Sequence, residues 1–85
     1  MDIVEIKQII NESRKGNGEF TLSDVGDVQS KAKMTLEMDR DSQMYFYQIT
    51  SDDLEKSSLS KEDVEKMTTN GWRFNENKNI FFKNI

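Results

Sequence analysis

The sequence predicts a small α+β domain in the order α-β-β-β-α-β-β, with two helices on a mainly antiparallel sheet in two layers. Three observations carry that expectation. Isoleucines recur at helical spacing near the start (Ile3, Ile6, Ile9, Ile10), Ala32, Met34, Leu36 and Met38 alternate with polar residues, and a well-marked helix start at Ser60 precedes two aromatic strand segments. A length of 85 residues suits one domain spanning 1–85 with one core. Leu, Ile, Val and Phe number 20 of 85, enough apolar surface to offset the ordering entropy, so the chain is expected to fold.

The first helix is expected from about Asp2 to Lys15. Asp2 and Glu5 supply a cap and an acid in the first turn, Arg14 and Lys15 supply cations near the end, and Gly16 offers a left-handed terminator. After the Gly16-Asn17-Gly18 punctuation, Glu19 to Ser23 reads as a short strand, followed by a break around Asp24 to Asp27. Val28 to Met38 reads as a half-buried strand, with Lys31, Lys33, Thr35 and Glu37 on the face opposite the apolar set. Asp39 to Gln43 forms a polar turn. Met44 to Thr50 is a strand with both faces apolar: Met44 and Phe46 on one, Tyr45, Tyr47 and Ile49 on the other.

Ser51 to Ser58 reads as an acidic connection. The second helix runs from Ser60 to about Thr69, because Ser60 and Asp63 match a capping box, Leu59 and Val64 match a hydrophobic staple, and Glu62 with Lys66 makes an i,i+4 pair. Asn70-Gly71 ends it. Trp72 to Phe74 and Ile80 to Lys83 then form a hairpin around the Asn75 to Asn79 turn, with Trp72, Phe74, Ile80 and Phe82 expected in the core and Phe81 turned outward.

Composition excludes much chemistry. The chain has no Cys and no His, hence no disulfide, no thiolate ligand or nucleophile, and no imidazole base. No cofactor, metal or catalytic residue is expected, and the expectation is a non-enzyme. Asp39-Arg40-Asp41-Ser42-Gln43 begins like a calcium loop, but Met44 and Thr50 stand where that loop needs Gly and Glu. Ser58 and Lys61 have the spacing of a Ser-x-x-Lys pair without its companion motifs. Asp2, Glu5 and Lys7 interrupt the opening apolar stretch, which therefore reads neither as a signal peptide nor as a membrane span; a cytoplasmic location is expected. Richness in Lys, Asn, Ile and Phe with no Pro suits an AT-rich bacterial or phage genome.

The net charge of −4 is unevenly spread: residues 19–65 hold twelve acids and five bases, residues 66–85 four bases and one acid. The expected function is a small protein-binding adaptor or inhibitor, phage- or mobile-element-encoded, whose contact patch comprises Tyr45 and Tyr47 with Lys31, Lys33 and Glu37 beside them. One variety of it is an inhibitor that imitates nucleic-acid charge for a host defence enzyme, through an acidic edge of Asp39, Asp41, Asp52, Asp53 and Glu55. The alternative is nucleic-acid binding through Arg73, Lys78, Phe81 and Lys83 in the C-terminal hairpin. Over Leu59 to Ile85, the helix and its basic aromatic hairpin resemble the recognition-helix and wing end of winged-helix proteins, which implies DNA contact. Glu62, Asp63 and Glu65 depart from that pattern, since they repel a DNA backbone.

Overall fold

Four helices lie against one face of a four-stranded antiparallel sheet. The computed structural model describes residues 1–85. In chain order the elements are α1 (Ile3–Glu12), α2 (Leu22–Gln29), β1 (Thr35–Met38), β2 (Tyr45–Thr50), α3 (Ser51–Lys56), α4 (Lys61–Thr69), β3 (Arg73–Asn75) and β4 (Ile80–Asn84). The strands are ordered β1-β2-β4-β3, so the two hairpins meet along β2 and β4. The α+β class and the antiparallel sheet stand as expected, as does the progression from a leading helix through a strand pair and a helix to a closing strand pair. No helix is long and apolar enough to cross a membrane.

Within that frame, Glu19 to Ser23 is not a strand. Thr21 caps α2 through a capping box in which its hydroxyl accepts from the Asp24 N–H and the Asp24 carboxylate accepts from the Thr21 N–H. Phe20 and Val25 occupy the staple positions on either side of that cap, and both pack against the core. The same chemistry starts α3, where Thr50 accepts from the Asp53 N–H, and α4, where Ser60 and Asp63 close the expected box. A Ser/Thr-x-x-Asp signal thus opens three of the four helices. Because α3 begins at the residue after β2, the acidic connection expected over Ser51 to Ser58 is in its first part a helix that buries Leu54 completely.

Helix α1 starts where expected, at the Asp2 cap, but ends at Ser13 in extended backbone. Gly16 therefore does not terminate it, and its φ is not positive. What Gly16 provides is close approach: a Cβ there would stand 2.6 Å from the Thr69 carbonyl oxygen. The Gly16–Gly18 segment runs beside the end of α4, with the Gly18 N–H donating to the Thr69 carbonyl at 3.1 Å. The left-handed glycine is Gly71, at φ 101°, just after α4.

Twelve buried residues form one core cluster, drawn from all four helices and from β2, β4 and the connecting segments. Ile49 and Phe81 stand directly opposite each other in the β2–β4 register, and both are fully buried. Trp72 is also fully buried, with Phe20 edge-on at 5.5 Å and Phe81 at 5.1 Å. Because every helix contributes to this one cluster, all four sit on the Ile49 and Phe81 side, and the opposite sheet face has no layer over it.

That placement inverts the expected faces of β2 and, in β4, of Phe81 and Phe82, although Ile80 is buried as expected. Tyr47 and Ile49 face the helices, whereas Met44 and Phe46 lie on the open side; Phe81, expected outside, is in the core, and Phe82 lies outside it. The strand expected from Val28 is short because α2 takes up Val28, and only Thr35–Met38 pair with β2. Met34 is buried as expected, but Leu36 and Met38 are exposed because the helix layer does not reach the β1 edge.

Candidate functional site

The open sheet face carries Phe46 from β2 and Ile80 and Phe82 from β4, brought to the same side by strand alternation and by the antiparallel register. Phe46 and Phe82 meet edge to face, 6.4 Å between ring centroids. They line a shallow groove of about 230 Å³ together with Ile80, Asp39, Asn75, Lys78 and Asn84, so an apolar floor is bordered by one acid, one base and two amides. Met44, 54% exposed, continues the apolar surface toward the β1–β2 turn. Asp39 and Lys78 are the two charged residues of its rim, and the floor between them is apolar.

The residues named from sequence are only partly brought together. Tyr45 is exposed, but Tyr47 is packed against the core with the Phe20 ring at 5.8 Å, so the two do not form one accessible patch. Glu37 stands opposite Phe46 in the register and thus on the open face. Lys33 is exposed before β1, whereas Lys31 follows α2 and bonds the Asp63 carboxylate at 3.1 Å, away from the sheet surface. The residues expected to form one patch around the tyrosines are therefore not brought together.

The acidic edge is not assembled. Asp39 and Asp41 belong to the β1–β2 turn, where the Asp39 side chain accepts from the Asp41 N–H. Asp52, Asp53 and Glu55 lie in α3, beyond the other end of β2, roughly 20 Å along a six-residue strand. There, Asp53 serves the Thr50 cap and Asp52 pairs with Lys56 at 3.0 Å, which raises the Lys56 pKa chiefly through that hydrogen bond. No three acidic side chains stand close enough together to hold a metal ion.

The basic hairpin set is also dispersed. Arg73 donates to the Thr68, Trp72 and Gly16 carbonyls at 2.8 to 3.1 Å, so its guanidinium ties the end of α4 to the Gly16 segment. Phe81 is fully buried and presents no ring for stacking. Lys83 stands opposite Tyr47 on the helix side, with its ammonium against Gly71. Lys78 alone of the four borders the open groove. β4 is hydrogen-bonded to β2 as well as to β3, so the C-terminal hairpin is part of the four-stranded sheet.

Electrostatics between α2 and α4 are structural. Lys31 reaches Asp63, and Lys66 reaches Asp24 at 3.5 Å in place of the expected Glu62 partner. Asp63 is held below its ordinary pKa of 3.8, first by the Ser60 backbone N–H and, against some desolvation, by Lys31. Asp24 is lowered in the same way, first by the Thr21 backbone N–H, then by the Thr21 hydroxyl, with Lys66 adding to it. The cleft beneath these pairs is about 60 Å³, room for little beyond a water or two.

No protein-family model, no curated protein and no solved structure matches this chain.

Proposed function

We propose that the chain is a small non-enzymatic adaptor or inhibitor that binds another protein through the open face of its sheet. The observation that carries this reading is the Phe46–Phe82 pair, two half-buried aromatic rings in edge-to-face contact on a sheet face that no helix covers. Aromatic side chains and Met are enriched at the centres of protein interfaces, and polar rims like that of Asp39, Asn75, Lys78 and Asn84 surround them. Burial of Phe46, Phe82 and Met44 supplies the affinity; Lys78, Asp39 and Glu37 orient the partner. The charge-imitating variety of this function has no assembled acidic surface to support it.

The test is a pull-down from the native host with mass spectrometry, run in parallel with the wild type and with a Phe46→Ala/Phe82→Ala variant. A protein retained by the wild type and lost by the folded variant supports the reading. A partner retained equally by both moves binding elsewhere. An oligonucleotide shift at low salt that depends on Lys78 would replace protein binding with nucleic-acid binding, because phosphate contacts make affinity fall steeply with salt.

A further inference from the structure

We infer that a second copy of this chain pairs with β1 across its free edge, joining the two sheets into one of eight strands about a two-fold axis at Leu36. The β1 edge adjoins the open face and shares Glu37 and Asp39 with it, but pairing along it does not rest on the proposed function.

Strand β1 is an edge strand paired only with β2. The Ile85 N–H donates to the Tyr45 carbonyl, so Tyr45 directs its backbone groups to the β4 side and Phe46 directs its groups to β1. The Asp39 N–H donates to the Met44 carbonyl at 2.8 Å, which fixes the same parity on β1: Thr35, Glu37 and Asp39 bond inward, while Leu36 and Met38 turn N–H and C=O to the empty edge. No Pro is present and the register runs without a bulge, so neither of these devices blocks the edge. One face of this edge is apolar and uncovered: Leu36 is 55% and Met38 50% exposed, with Tyr45 (53%) opposite Met38 on the same face.

Charge selects the occupant and the register. With Leu36 opposite Leu36 of the second copy, Met38 faces Met34, Glu37 faces Thr35, and Lys33 faces Asp39, each pair occurring twice by symmetry. Lys33 and Asp39 are both exposed and take part in none of the four ion pairs within the chain. The neighbouring register, centred on Glu37, sets two like charges directly opposite each other, which is destabilising. The Leu36-centred register avoids that repulsion, gives the orphan backbone groups partners, and places apolar side chains together along the join.

Light scattering or sedimentation across a micromolar to millimolar series tests the state of the full chain. The expected result is a concentration-dependent dimer whose midpoint moves upward by about tenfold or more in Leu36→Lys. That site is exposed, so circular dichroism should show an unchanged fold. Two single-cysteine variants test the register, since the chain has no Cys of its own. In Leu36→Cys the facing Cα atoms stand about 5.5 Å apart, within disulfide reach, whereas in Glu37→Cys they are roughly 7–8 Å apart. Faster oxidative cross-linking at 36 than at 37 supports the proposal. A monomer throughout the series, a dimer indifferent to Leu36→Lys, or faster linking at 37 would overturn it.

Discussion

Phe46 and Phe82 stand edge to face on neighbouring strands, their ring planes at 85°, with the helices all on the other side of the sheet. The contact stabilises the sheet modestly and leaves part of each half-buried ring open to a partner. Phe46→Ala is expected to cost about 1–2 kcal/mol of stability, against about 3–5 kcal/mol for Phe81→Ala in the core. Denaturant titrations measure both. Once a partner is identified, Phe46→Ala should weaken its binding by about 2 kcal/mol or more, the scale of an interface anchor, and isothermal titration reads that loss.

Trp72 has no exposed surface, and its indole N–H finds no acceptor. An unmet buried donor costs about 1–3 kcal/mol, so part of what the ring contributes by burial is offset. Trp72→Ala should destabilise by about 3–5 kcal/mol. Trp72→Phe should cost far less, about 1 kcal/mol, because it removes the orphan donor while keeping an aromatic ring between Phe20 and Phe81. Equal losses for the two variants in urea would show that the N–H is not a burden on the fold.

Glycines at two sites should respond with opposite signs. Gly26 lies within α2, and a Cβ there meets nothing within 4 Å, so Gly26→Ala should stabilise by about 0.5–1 kcal/mol. At Gly16 the added Cβ meets backbone, the Thr69 carbonyl at 2.6 Å, which a side-chain rotation cannot relieve. Gly16→Ala should therefore destabilise by more than about 1 kcal/mol. Thermal melts of the two variants give the comparison.

Stability should fall in acid through the capping boxes. Asp24 and Asp63 have folded-state pKa values below the ordinary 3.8, so the folded chain prefers their charged forms. Their contribution is full above that ordinary value and is lost as pH falls through the lower folded values. Urea midpoints should hold from neutral pH to about pH 5 and then decline toward about pH 2. Asp63→Asn keeps an acceptor for the Ser60 N–H without the charge, so the variant should start less stable and show a shallower decline. An identical slope would place the acid sensitivity in other carboxylates.

Much of the local architecture was readable from short-range chemistry. The Asp2 cap, the Ser60 and Asp63 box, the stop at Asn70-Gly71 and the turn after Met38 are interactions between residues a few positions apart, so their spacing along the chain is the interaction itself. Helices α2 and α3 carried the same signal, Thr21 with Asp24 and Thr50 with Asp53. It was obscured by Gly26 in the first case and by the direct passage from β2 in the second.

The candidate surface could not be read in that way. β2 is apolar on both faces and β4 carries Phe81 and Phe82 side by side, so alternation divides each strand into two sets without saying which set meets the helices. That choice belongs to residues distant along the chain: Ile6, Leu54, Val64 and Trp72 converge on the side of Ile49 and Phe81. A two-layer domain of 85 residues has helices enough for one face. Covering that face closed the core over Tyr47 and Phe81, and left Phe46 and Phe82 facing water.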